Sequence, residues 1–365
     1  MKKLLFVLVL TFALALTACG GAPAEPAPEA PAAEEAPAEE APAAEEAPAE
    51  EAPVEEMAEA FKVAVIMPSS ITDLAFSQSM FDALLSIQEE MGGEEAMEIA
   101  YSEGMFKVDD AAAAIRDYAA EGYDLVVAHG SQYGSSLQEI APDFPETAFA
   151  WGTTLETYGE PNISAYDANS HEGGYVNGVL AATVSESGVI GVVGPIEVGD
   201  AALYVKGFIA GAESVNPDID IKIIWTGSFG DTGLGTEAAN THVAAGADVL
   251  TGTAQMVTGA IGLAQEQGLA WFGTQSAQTS VGPDAVVANQ VYDWTSAIKE
   301  VIAGTKEGDF GGEAYTITLE NGGLVMDYNS NYALSDEAKA AADAAVQGII
   351  DGSIVVQIGR ASCRE

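Results

Sequence analysis

Apolar runs of strand length alternate with stretches of helical pattern from Phe61 onward, and this rhythm constrains the fold more than any single motif does. "FKVAVIM" leads to a helical pattern over 75–91, "MEIAYSE" to 109–120 and "YDLVVAHG" to 135–141, with "TAFAWG" and "NISAYDA" following. A second series starts at His171 with the helix "EGGYVNGVLAATVSESG". Strand "VIGVVG", helix 202–215, strand "IDIKIIW", helix 236–245, strand "ADVLTG", helix 258–267 and strand "LAWFG" continue it. Strand followed by helix, repeated, predicts parallel sheets covered on both faces. The two series predict an α/β chain of two doubly wound, Rossmann-like lobes. Strand "AVVANQVYD", helix 294–304, strand "AYTITLE" and helix 337–352 then pass back and forth between them. The expected lobes are 61–168 plus about 293–312, and 169–292 plus about 313–357, joined by a hinge.

Parallel sheets bind ligands beyond the carboxyl ends of their strands, near helix N-termini. The loops there, among them "PSSITDLAFSQ", "HGSQYG", "TGSFGDTG", "TAQMVTG", "GTQSAQ" and "VYDW", are rich in Ser, Thr, Gln and aromatic residues. Such side chains suit hydrogen bonding and stacking on a neutral polar molecule. Position at a strand end alone makes Gln132, Asn169, Phe229, Gln255, Asp293 and Trp294 candidate ligand contacts. Trp151 and Trp271 read instead as strand residues buried in the core.

Several chemistries lack their signatures. No G-x-G-x-x-G or Walker motif follows a strand, and no G-x-S-x-G elbow is present. His129, His171 and His242 fall on separate elements without ligand spacing, so no metal or cofactor is expected. Without a nucleophile–base pair, a binding protein that closes two lobes on its ligand is a better reading than an enzyme. Charge narrows the ligand: between Phe61 and Gln357 eight basic residues face more than forty acids. A surface of that sign repels nucleic acid and anionic lipid and argues against a nucleotide triphosphate.

The N-terminal region places the chain. Positions 1–18 read as a secretory signal, two lysines before "LLFVLVLTFALAL", ending in "LTAC". That ending resembles the lipobox of bacterial lipoproteins, which makes Cys19 the expected lipid anchor on the outer face of the cytoplasmic membrane. Positions 19–60, with repeats such as "EEAPAEEAPAAEEAPAEEAP", cannot bury a core and read as a semi-rigid, extracytoplasmic tether. At the other end "IGRASCRE", 358–365, resembles a sequencing adapter read through in frame, which would deprive Cys363 of a role.

Within this frame "TDLAFSQSMFDAL", "YDLVVAHGSQYGSSLQEIAPDFPETAFAWG", "KGFIAGAESVNPDIDIKIIWTGSFGD" and "VIAGTKEGDFGG" together resemble the basic membrane protein, or PnrA-like, family of substrate-binding lipoproteins. The resemblance implies a type I periplasmic-binding-protein fold. It also implies capture of a purine base or nucleoside for an ABC permease and its ATPase, with no catalysis by this subunit. Carried over, Asp73 matches the family's first-loop carboxylate, Phe76 the ring that stacks on the base, and Ser77, beside Gln78, a position usually held by asparagine. Two other readings stay open: Asp73 as a helix N-cap, and Phe76 as a core aromatic at helical spacing with Met80. Gln275 stands where a ribose-gripping acid is common, and Tyr292 where a lysine is. Both departures point toward free nucleobases. A ligand-sensing surface receptor and a sugar-binding protein of the same fold are the alternatives.

Overall fold

The computed structural model describes residues 59–358. The signal-like segment, Cys19, nearly all of the tether and all but the first residue of the adapter-like tail lie outside the described residues. In chain order the first series comprises β1 (Phe61–Ile66), α1 (Phe76–Met91), β2 (Met97–Ser102), α2 (Val108–Ala120), β3 (Leu125–His129), α3 (Gly134–Ile140), β4 (Ala148–Gly152) and β5 (Ile163–Ala168). After α4 (His171–Val184) come β6 (Val189–Gly194), α5 (Gly199–Val215), β7 (Asp220–Trp225), α6 (Thr232–Ala244), β8 (Val249–Gly252), α7 (Thr258–Gln267), β9 (Ala270–Gln275) and β10 (Val286–Tyr292). The chain continues with α8 (Thr295–Glu307), β11 (Ala314–Ile317), β12 (Leu324–Tyr328) and α9 (Asp336–Ile350).

These form two six-stranded sheets, ordered β11-β5-β4-β3-β1-β2 and β12-β10-β9-β8-β6-β7. Every pairing is parallel except β10 with β12. The central strands β3, β4, β8 and β9 are buried throughout, as a sheet covered on both faces requires. Helix α1 shows why the helical pattern was legible: Met80, Ala83, Leu84 and Ile87 recur on its buried face, and Gly92, at φ 115°, ends it in the left-handed conformation.

Two expectations need correction. Residue 313 does not begin the second lobe, because β11 runs parallel to β5 in the first sheet. That pairing covers an edge that would otherwise leave β5's N–H and C=O groups without partners. Strand β12, not anticipated from the sequence, then adds antiparallel to β10 and closes the matching edge of the second sheet. The helices α5 and α6 also begin a few residues earlier than their apolar patterns suggest.

The second lobe has a helix seam that the first lacks. A Cβ on Gly178 would lie 2.0 Å from the carbonyl O of Phe208, and one on Gly211 2.0 Å from that of Tyr175. Helices α4 and α5 therefore pack backbone against backbone, with no room for a side chain between them.

Candidate functional site

A cavity of about 360 Å³ lies between the lobes at the carboxyl ends of both sheets. The first lobe lines it with Pro68 and Phe76 after β1, Phe106 and Val108 after β2, Gly130 to Gln132 after β3, and Thr153 after β4. The second lobe contributes Val198 to Ala201 after β6, Phe229 after β7, Ala254 and Gln255 after β8, and Gln275 at the end of β9. The lobes meet across it. Thr153 Oγ1 donates to Asp200 Oδ1 at 3.3 Å, Ser276 Oγ to the Ala75 carbonyl at 3.1 Å, and Gln278 Nε2 to the Leu74 carbonyl at 3.3 Å.

Phe76, the first residue of α1, is 7% exposed and stacks on His129, with ring centroids 3.7 Å apart and planes 12° from parallel. His129 Nε2 lies 2.9 Å from the Phe76 carbonyl and must donate to it, so Nδ1 accepts from the Tyr166 hydroxyl at 2.8 Å. Burial holds this imidazole neutral, with a pKa of about 3. The Phe76 ring is thus fixed from behind by a stack that continues through His129 to Tyr166. Trp294 packs edge-on to both His129 and Tyr166.

The opposite wall is polar. Asp200 sits in the first turn of α5, where the helix dipole favours a carboxylate. Its Oδ2 accepts from Gln275 Nε2 at 3.2 Å and from the Tyr292 hydroxyl at 3.2 Å. Burial raises its pKa, and the hydrogen bonds from Gln275, Tyr292 and Thr153 oppose that rise. Gln275, at φ 75°, also accepts from the Ala254 N–H at 3.2 Å, and Ala254 is itself at φ 71°. Left-handed backbone at two non-glycine residues in one wall is strain held by the surrounding structure, a pattern that clusters at binding sites. Among the described residues no Lys, Arg or His lines the cavity. A second carboxyl, Asp167 on β5, is raised to about 7 by burial and by the charge of Asp200.

Of the residues singled out from the sequence, the fold brings Phe76, Gln132, Phe229, Gln255 and Gln275 to the cavity. The others stand outside its lining. The Asp73 carboxylate is occupied by the N–H groups of Ala75, Ser77 and Gln78 at 2.9, 3.1 and 3.1 Å, so it holds the first turn of α1 from two residues ahead of the N-cap position, which is Ala75 and not Asp73. Ser77 is fully buried, accepting from the Ser69 N–H, and Gln78 accepts from the Leu74 N–H. Asn169 donates to Glu172, and the exposed Asp293 accepts from the N–H of Thr295, the first residue of α8. Trp294 is fully buried, its indole N–H donating to Ser79 Oγ. Tyr292 reaches the site only through Asp200.

Asp200, Phe106 and Thr153 were not singled out from the sequence. Asp200 lies in "GPIEVGD", a strand-end loop holding a carboxylate; placing the helix start at 202 instead of 199 hid it. Phe106 had the same signal as Phe229, an aromatic residue just past a strand.

The family model described as "ABC transporter substrate-binding protein PnrA-like" matches residues 60–358. A purine-binding protein of Brucella abortus (strain 2308) is 30% identical over 236 residues, covering 65% of this chain and 66% of that protein. The ABC transporter nucleoside-binding protein BmpA of Lactococcus lactis subsp. cremoris is 25% identical over 81% of this chain and 88% of its own length. A putative ABC transporter glucose-binding protein of Haloferax volcanii is 24% identical over 83% of this chain and 75% of its own. Among solved structures, a solute-binding protein of an ABC transporter system from Aeropyrum pernix K1 superposes with a TM-score of 0.69 at 19% identity, covering 83% of this chain and 94% of that one. Another, from Conexibacter woesei, gives 0.67 at 23% identity, covering 82% and 99%. These two speak to the fold, a two-lobed solute-binding architecture of type I. With a cleft built from both lobes at the strand ends, and a family match running the length of the folded chain, the protein belongs to the PnrA-like family of ABC transporter substrate-binding proteins.

Proposed function

We propose that this protein captures a purine nucleobase or nucleoside between its lobes outside the cytoplasm, anchored through lipid on Cys19, and delivers it to the permease of an ABC importer. One observation carries the ligand class. Phe76 and Phe106 from the first lobe and Phe229 from the second line one cavity, and the Phe106 ring closes onto Gly230 beside Phe229. Flat aromatic walls suit a flat heterocycle, at roughly 1 to 3 kcal/mol per stacked base. Pockets for small molecules run from about 300 to 1,000 Å³, and 360 Å³ lies at the small end. A wall without cations favours a neutral ligand over a phosphorylated one.

A sugar is the second reading, favoured by the Haloferax volcanii relative's name and by the pairing of aromatic rings with Asp200 and Gln275. Thermal shift and calorimetry on residues 59–358 against adenine, guanine, hypoxanthine, their nucleosides and glucose separate the readings. Saturation at 100 times the dissociation constant stabilises by about 2.7 kcal/mol. Stabilisation by bases or nucleosides, lost in Phe76→Ala, supports the proposal. Stabilisation by glucose alone would overturn it.

A further inference from the structure

We propose that Asp200, which lines the cavity, is the specificity-determining residue of the cleft: its Oδ1, the oxygen with only one long hydrogen bond, accepts a hydrogen bond from an N–H group of the ligand. This rests on the purine reading above and narrows it to bases or nucleosides that turn an N–H donor toward the second lobe.

A carboxylate has about four acceptor positions, two on each oxygen. Both on Oδ2 are taken, by Gln275 and Tyr292, which orient the group from behind. Oδ1 holds only the long 3.3 Å bond from Thr153, which reaches over from the other lobe. The Asp200 backbone is held as well, its carbonyl accepting from Ser170 Oγ at 2.6 Å. A carboxyl 9% exposed, locked on one oxygen and under-coordinated on the other, is preorganised for a donor arriving through the cavity.

A second observation, independent of Asp200, points to the same ligand chemistry. Gln255, 8% exposed in the neighbouring strand-end turn, has an Oε1 with no hydrogen-bond partner among the described residues. A buried acceptor left unpaired is costly and marks a position that a ligand donor completes. Gln255 and Asp200 both come from the second lobe, so that wall presents acceptors while the first lobe presents the Phe76 ring. Stacking accepts any flat heterocycle. The acceptor wall is what discriminates. It rejects anions through charge, and it rejects neutral bases whose facing nitrogen is methylated through loss of the donor.

The test is a cycle of two proteins and paired ligands. Adenine, guanine and hypoxanthine are titrated by calorimetry into the wild-type protein, followed by the N-methylated derivatives of whichever base binds tightest. Against wild type, methylation of the facing N–H is expected to weaken binding roughly ten- to hundredfold, the range for a hydrogen bond to a charged group. In Asp200→Asn, which keeps the shape but turns half of the group into a donor, that difference is expected to shrink to within about threefold, while the unmethylated base itself binds more weakly. A methyl group that merely clashes would be penalised equally in both proteins, so an undiminished difference in Asp200→Asn overturns the proposal and leaves the purine reading standing. Should wild type bind none of the three bases or their nucleosides, the purine reading fails and this inference with it. If Asp200→Asn does not give a cooperative melting transition, Asp200→Ser, which removes the Oδ1 position, is read in the same cycle with the same expectations.

Discussion

The two lobes are built on one strand order and differ in what they turn toward the cleft. β1 to β5 correspond in sheet position to β6 to β10, and β11 to β12. The correspondence reaches the loops. Phe106 after β2 matches Phe229 after β7, and Gln132 after β3 matches Gln255 after β8. It breaks at the helices that follow the matched strands β1 and β6. Helix α1 opens with Phe76, whose ring is backed by His129, and α5 opens with Gly199 and Asp200, whose carboxyl is backed by Gln275 and Tyr292. A repeated scaffold therefore offers a face on one side and a polar edge on the other, which is what a flat, hydrogen-bonding molecule needs in order to be held in one orientation. The backing layers differ too. In the second lobe α4 and α5 meet at glycines, whereas in the first α1 meets α8 through the Trp294 to Ser79 hydrogen bond and the exposed Lys299–Glu90 ion pair.

The largest expected effect lies in the glycine seam. Gly211→Ala places a methyl group against the Tyr175 carbonyl, which is backbone and cannot rotate away, and should destabilise the protein by about 3 kcal/mol in denaturant unfolding. A cost below about 1 kcal/mol would mean that α4 and α5 can slide, and the contrast between the lobes would lose its basis.

Next comes a pH effect at the meeting of the two walls. Asp167 has its pKa raised from 3.8 to about 7 by burial and by Asp200, so its charged form is the disfavoured one in the folded state. Its contribution is therefore most favourable below about 4 and is lost as pH rises toward 7. Asp167→Asn should match wild type near pH 4 and exceed it by roughly 2 kcal/mol at pH 8, the full shift's value of about 4 kcal/mol halved because the carboxyl is partly exposed. Melting curves at the two pH values decide it; a variant less stable at pH 8 would show the carboxylate to be stabilising.

A smaller effect separates the acid that holds the start of α1 from a residue that lines the cavity. Asp73→Ala should cost about 1 to 2 kcal/mol of stability, because the N–H groups of Ala75, Ser77 and Gln78 lose their acceptor, while changing ligand affinity less than Gln255→Ala does. Calorimetry that found the reverse would return Asp73 to the site. The smallest belongs to Lys299→Ala, worth under about 1 kcal/mol and vanishing in high salt, because the Lys299–Glu90 pair is half exposed on both sides.

Residues differed in how legible they were, for physical reasons. Phe229, Gln132 and Gln255 could be found because a strand end followed by a helix start fixes where a residue sits relative to the sheet, whereas Phe76 and Gln275 were singled out by the family resemblance. Asp73 looked equally well placed, yet its carboxylate turns back on the N–H groups just ahead of it, and nothing in "ITDLAFSQ" distinguishes that local bond from one to a ligand. Trp294 and Tyr292 follow the same strand end but are drawn into the core, one by Ser79 of α1, the other by Asp200. Asp200 was hidden by a boundary error of a few residues, the usual uncertainty at a helix start.

The sequence by itself determined the alternation of strand and helix, the parallel core of each sheet and the loops at the strand ends, because hydrophobic period and turn residues act locally. The excess of acids over bases also weighed against an anionic ligand, since net charge is additive and needs no geometry. Only the tertiary structure decided which sheet takes β11, that β12 exists, and which side chains face the cavity. Those choices depend on partners far apart in the chain, such as Thr153 with Asp200 and His129 with Phe76, and each is settled by which competing hydrogen bond or ring contact the whole fold brings within reach.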